Sequence, residues 1–101
     1  MPTLVTGTID LDPAKHDAAV EVFTKAMAAT LEEPGCEGYT FSADLQDPGR
    51  FHVREQWADN AAIDTHMASS NLAELVGAMG SLGVTRASLT KWEGATGSTL
   101  M

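Results

Sequence analysis

Apolar and polar positions alternate with a period of two in four stretches of this chain, and three segments with helical spacing lie between them. Val5, Gly7, Ile9 and Leu11 fall on one face and Leu4, Thr6, Thr8 and Asp10 on the other, which predicts a first strand over 4–11. Asp12-Pro13 supplies an N-cap and a proline at the first helical position. The helix it starts is expected to run to about Glu32, with Ala19, Val22, Phe23, Ala26, Met27 and Thr30 as its apolar stripe. Glu33-Pro34-Gly35 ends it. A second strand is expected over 38–45, with Tyr39, Phe41, Ala43 and Leu45 facing inward, and a third over 50–57. Asp47-Pro48-Gly49 is turn chemistry that makes these two a hairpin. Asp59 caps a short helix to about Met67, and Asn71 with Glu74 has the spacing of a capping box that restarts a helix bearing Leu72, Leu75, Val76 and Met79. Gly80 and Gly83 end it, and Val84 to Trp92 reads as the fourth strand.

The order β-α-β-β-α-β is that of a ferredoxin-like α+β fold, a four-stranded antiparallel sheet with the helices on one face. The chain reads as one domain over 1–101, with its core in 3–93 and a flexible tail over 94–101. Nothing in the sequence covers the second sheet face, where Leu4, Thr6, Thr8, His52, Arg54, Gln56, Arg86, Ser88 and Thr90 are expected. Such a face either meets water or meets its copy across a two-fold axis.

Composition narrows the partners. A formal charge of −8, from 14 acidic and 6 basic residues, argues against nucleic acid and anionic membranes. No apolar run is long enough for a membrane helix, and Met1-Pro2-Thr3-Leu4 lacks the features of a signal peptide, so a cytoplasmic location is the expectation. Cys36 is the single cysteine, which excludes an internal disulfide. No metal site is expected, since Glu55 and His66 offer at most two inward ligands, and no glycine-rich phosphate loop follows a strand.

The candidate chemistry is concentrated in F-H-V-R-E-Q-W-A-D-N-A-A-I-D-T-H at 51–66. Strand parity sends Phe51, Val53, Glu55 and Trp57 inward, and helical spacing sends Ile63 and His66 the same way. A carboxylate, an indole and an imidazole are thus expected in one apolar pocket. Glu55 is either a general base or a carboxylate held by a helix start or by His66. Trp57 either stacks on a planar ligand or is a large core residue. His66 either moves a proton or is held by Glu55 or a backbone carbonyl. Tyr39, Phe41, Val53, Ile63 and Met67 are the candidate substrate-lining residues, whereas His16 is expected in solvent.

Glu33-Pro34-Gly35-Cys36, Tyr39, Asp47-Pro48, Phe51, Glu55-x-Trp57 and His66, in this order, resemble the antibiotic biosynthesis monooxygenase family. The resemblance implies two ferredoxin-like units packed sheet to sheet as a dimeric α+β barrel, with a ligand cavity between sheet and helices in each. It implies a cofactor-independent monooxygenase that oxidises a phenolic, quinol or polyketide-type aromatic with O₂, using Glu55, His66 and Trp57. The alternatives are a non-catalytic small-molecule-binding or stress-related dimer, or an isomerase of the same fold. Polyketide-oxidising relatives carry asparagine where this chain has Val53. Haem-degrading relatives use an Asn, Trp and His set, and His66 stands where they carry tryptophan, so haem degradation is not expected.

Overall fold

The computed structural model describes residues 1–101. Strand β1 (Thr3–Asp10) is followed by a 3₁₀ turn at Pro13–Lys15 and helix α1 (His16–Thr30). Strands β2 (Cys36–Ala43) and β3 (Arg50–Trp57) form the hairpin, helices α2 (Asn60–Met67) and α3 (Ser70–Met79) follow, and β4 (Arg86–Glu93) closes the sheet. All pairings are antiparallel in the order β2-β3-β1-β4, which is the ferredoxin-like arrangement. No helix is long and apolar enough to cross a membrane.

The period-two pattern becomes the core directly. Val5, Ile9, Tyr39, Phe41, Phe51, Val53 and Trp57 are buried beneath the helices, where Ala19 and Phe23 of α1, Ile63 of α2 and Leu75 of α3 meet them. Phe23 stacks on Phe41 with centroids 4.3 Å apart and meets Phe51 edge-on at 5.0 Å, so an aromatic cluster fastens α1 to the hairpin. On the opposite face the register sets Thr6 between Arg54 and Thr90, and Thr8 between His52 and Ser88. Trp92 lies there beside Leu4, its indole N–H donating to Thr6 Oγ1 at 2.9 Å.

Local chemistry corrects several expectations. Leu45 does not face the core. The strand stops at Ala43 because Asp44 Oδ1 accepts the N–H groups of Gln46 and Asp47 and turns the chain, leaving Leu45 exposed. Asn71 is not a cap: Ser69 is, its hydroxyl accepting from Leu72 N, which frees the Asn71 side chain for a distant partner. His16 is not free in solvent but stacks on Phe51 at 5.3 Å and bonds the Pro48 carbonyl through Nδ1 at 2.8 Å. Residues 94–101 form no helix or strand, and Ala95 N bonds Pro2 O at 3.0 Å.

The turn after α1 controls the spacing of α2. Gly35 has a φ of +80°, and a Cβ there would lie 2.6 Å from Ala62 Cβ. Glycine therefore serves twice, for the left-handed conformation and for the close approach of the helix. Gly35→Ala is expected to lower unfolding free energy by about 1–3 kcal/mol in urea titrations, through strain and displacement of α2 together.

Candidate functional site

Strand β3 presents Glu55 and Trp57 two residues apart on its buried face, and the indole N–H donates to Glu55 Oε1 at 2.9 Å. Trp57 is 0% exposed and Glu55 6%. Burial pushes the Glu55 carboxyl above its ordinary value, and the bond from Trp57 and the nearby His66 offset that only in part. Burial and the Glu55 charge likewise push the Tyr39 phenol far up, so it stays protonated at neutral pH. The Cys36 thiol is raised by burial too, which leaves little reactive thiolate.

Helix α2 carries His66 against the other side of the indole. The rings lie 4.7 Å apart at 33°, and Tyr39 meets the imidazole edge at 5.5 Å. His66 is 2% exposed, and its partner is Glu33 rather than Glu55. Nδ1 lies 3.0 and 3.2 Å from the two Glu33 carboxyl oxygens. Asn71 Nδ2 donates to Glu33 Oε2 at 2.9 Å and to the Ala29 carbonyl at 3.3 Å. Glu33 thus links the end of α1, α2 and α3, and fixes the imidazole through one nitrogen, as carboxylates orient histidines elsewhere.

A cleft of about 300 Å³ opens on the helical side of the sheet between α2 and β4. Val5, Glu55, Ile63, Asp64, Met67, Leu89, Thr90 and Lys91 line it. Of the residues anticipated from sequence, Glu55, Ile63 and Met67 reach this space. Tyr39, Trp57 and His66 stand behind Glu55 in a closed aromatic cluster, and Phe41 and Val53 lie in the core. The acid, the indole and the imidazole are therefore neighbours, but among these three only the acid lines the cleft. Sequence reasoning missed Glu33 and Asn71 as site residues. Glu33 was present in the family-like motif, whereas nothing local distinguishes the role of Asn71 from helix capping.

The fold and this arrangement define a ferredoxin-like domain with a largely apolar cleft bordered by a protonatable carboxyl. The family model for antibiotic biosynthesis monooxygenases matches residues 2–78, and the chain belongs to that family. A presumed antibiotic biosynthesis monooxygenase from Deinococcus radiodurans superposes with a TM-score of 0.90 at 27% identity, over 98% of each chain. A Mycobacterium tuberculosis protein of the same fold gives 0.85 at 18% identity, over 98% of this chain and 100% of the other. An uncharacterised Synechocystis protein is 29% identical over 75 residues, 74% of this chain and 51% of the relative, so the chain spans about half the length of the curated relative it matches. The family match leaves the substrate unspecified.

Removing the carboxylate that holds His66 leaves the buried imidazole Nδ1 without a partner. Glu33→Ala is expected to cost about 1–3 kcal/mol in urea unfolding. Glu32→Ala, at the exposed neighbouring position, is expected to stay within about 0.5 kcal/mol of the parent.

Proposed function

We propose that this protein is a cofactor-independent monooxygenase that oxidises a phenol or quinol with O₂, and that Glu55 is its proton-transfer group. The supporting observation is a buried carboxyl at the floor of an apolar cleft, one oxygen held by the Trp57 N–H. In this reading Glu55 takes the proton of a substrate hydroxyl. The phenolate passes one electron to O₂, and the ring radical and superoxide recombine at a ring carbon that bears hydrogen. Glu55 returns its proton to the peroxide. Loss of water then leaves a carbonyl, so phenol and O₂ give quinone and water. The protein supplies a dry site and a base whose proton affinity suits the task. Trp57 and His66 act as positioning residues, the indole aiming the carboxyl and the imidazole, held by Glu33, backing the indole. Ile63 and Met67 are the cleft walls in contact with the ring, while Tyr39, Phe41 and Val53 shape the wall behind them.

The working unit in this proposal is a homodimer formed through the open sheet face. Trp92 and Leu4 give that face an apolar patch at its β4 edge, and Arg54, Gln56, Thr90 and Ser88 lie beside it as groups that would pair across a two-fold axis. Sedimentation equilibrium is expected to give a dimer, and Trp92→Glu a monomer. A monomeric parent protein at micromolar concentration would remove this part of the proposal.

Oxygen uptake over a panel of hydroquinones tests the reaction. Rates above autoxidation are expected, rising with pH through an inflection above the ordinary glutamate value of 4.5, because the base works deprotonated. Glu55→Gln is expected to abolish the excess rate. Ligand binding without oxygen uptake would favour a non-catalytic binding protein, and product formed under argon would favour an isomerase.

The same raised pKa has a consequence for stability. Glu55 binds its proton more tightly in the folded protein than in the unfolded chain, so its stabilising contribution is full below the unfolded value and is lost as pH rises through the folded one. Glu55→Gln is therefore expected to melt above the parent at pH 7, with the difference vanishing near pH 4.

A further inference from the structure

We propose that Leu89 is the specificity-determining residue of the cleft, restricting it to substrates of one or two fused rings, and that Gly7 is what allows Leu89 to do so. The proposal rests on the reading of this cleft as the substrate site. The register pairs Leu89 with Gly7 on the helical side of the sheet, directly beside the Val5–Lys91 pair that borders the cleft. Gly7 is the one position in the middle of β1 without a side chain, and β4 leans over it. A Cβ at residue 7 would lie 2.6 Å from Leu89 Cδ2 and 2.8 Å from Leu89 Cα, and would also strike the Ser88 carbonyl. The Leu89 side chain thus fills the space that a larger residue would have claimed on β1, and it forms the cleft wall opposite Ile63 and Met67.

The inward positions of β1 and β3 next to this wall are already closed. Val5, Ile9 and Val53 are buried in the core. Truncating any of these would open a hole in the packed interior. Leu89 differs, because no helix covers β4 and all its residues are exposed. It is half-exposed and meets the interior on one side only. Shortening it lengthens the cleft along the sheet towards Gly7 without emptying the core. With about 300 Å³, the cleft sits at the small end of the about 300–1,000 Å³ usual for ligand pockets. That volume suits a phenol or naphthol whose hydroxyl reaches Glu55 and whose ring lies between Ile63 and Leu89. A third ring would run into the Leu89 side chain.

The test is a calorimetric titration under argon with phenol, 2-naphthol and 2-hydroxyanthracene, on the parent protein, Leu89→Ala and Leu89→Phe. The parent is expected to bind 2-naphthol at least roughly tenfold more tightly than 2-hydroxyanthracene, and Leu89→Ala to erase that gap, the order of effect expected when a pocket changes by a few methylene groups. Leu89→Phe is expected to weaken 2-naphthol while keeping phenol. Circular dichroism and thermal melts check that the variants fold. Equal ring-size dependence in parent and Leu89→Ala, or no binding of any of the three compounds, overturns the proposal. Binding carries no oxidation step. An intact size dependence without oxygen uptake in air would therefore refute the oxygenation reading and leave the role of Leu89 standing.

Discussion

The hydrogen bond from Trp57 Nε1 to Glu55 Oε1, made between two residues of one strand on the buried face of the sheet, is the constraint around which the site is organised. An ionised carboxylate in apolar surroundings is costly, and a carboxyl there either finds a partner or holds its proton. Glu55 does both in part. The indole gives it one donor, and burial raises its proton affinity more than that donor lowers it. Because the two side chains leave the same strand, their geometry is set by the pleat and not by a mobile loop. The indole in turn is too large to rotate once Tyr39 and His66 close on it.

A second polar group of contacts secures that closure. Glu33 lies where α1 gives way to the turn through Pro34 and Gly35, and its carboxyl receives both His66 and Asn71. Three segments that share no local sequence are tied at one carboxylate. Buried polar networks of this kind are favourable only when every member is satisfied, and no buried side-chain nitrogen or oxygen here lacks a partner. The close passage of α2 over Gly35 brings His66 within reach, so a backbone feature of the turn and a side-chain feature of the site depend on each other.

Much of this was legible in the chain, for identifiable reasons. Period-two alternation over 51–57 is strong because Phe51, Val53 and Trp57 alternate with the polar His52, Arg54 and Gln56, so the inward placement of Glu55 and Trp57 follows from parity alone. His66 follows from helical spacing with Ile63. The partner of His66 was not legible. Glu33 is 33 positions away, and Glu32 beside it has the same chemistry, so only the packing of three helices singles one out. Asn71 misled for a related reason: asparagine and serine both cap helices, and Ser69 was better placed to do so. Leu45 failed because alternation does not show where a strand ends, and the Asp44 turn ended it two residues early. The cleft itself could not be read from pattern, since it arises from what α2 leaves uncovered and not from a motif.

That uncovered region links the fold to its chemistry. The two helices after β3 are short; α2 packs on β3 and α3 packs on α1, and β4 stays exposed. The cost is an edge strand with little burial. The gain is a gap bordering the buried Glu55 carboxyl. A single longer helix in place of α2 and α3, running across β4, would bury Leu89 and Lys91 and seal Glu55 from any ligand. The break at Ala68-Ser69, where the Ser69 hydroxyl ends one helix by bonding the His66 carbonyl and caps the next through Leu72 N, therefore does more than turn the chain. It fixes where α2 stops, and so keeps the acid both buried by its own strand and open to a molecule entering from the side.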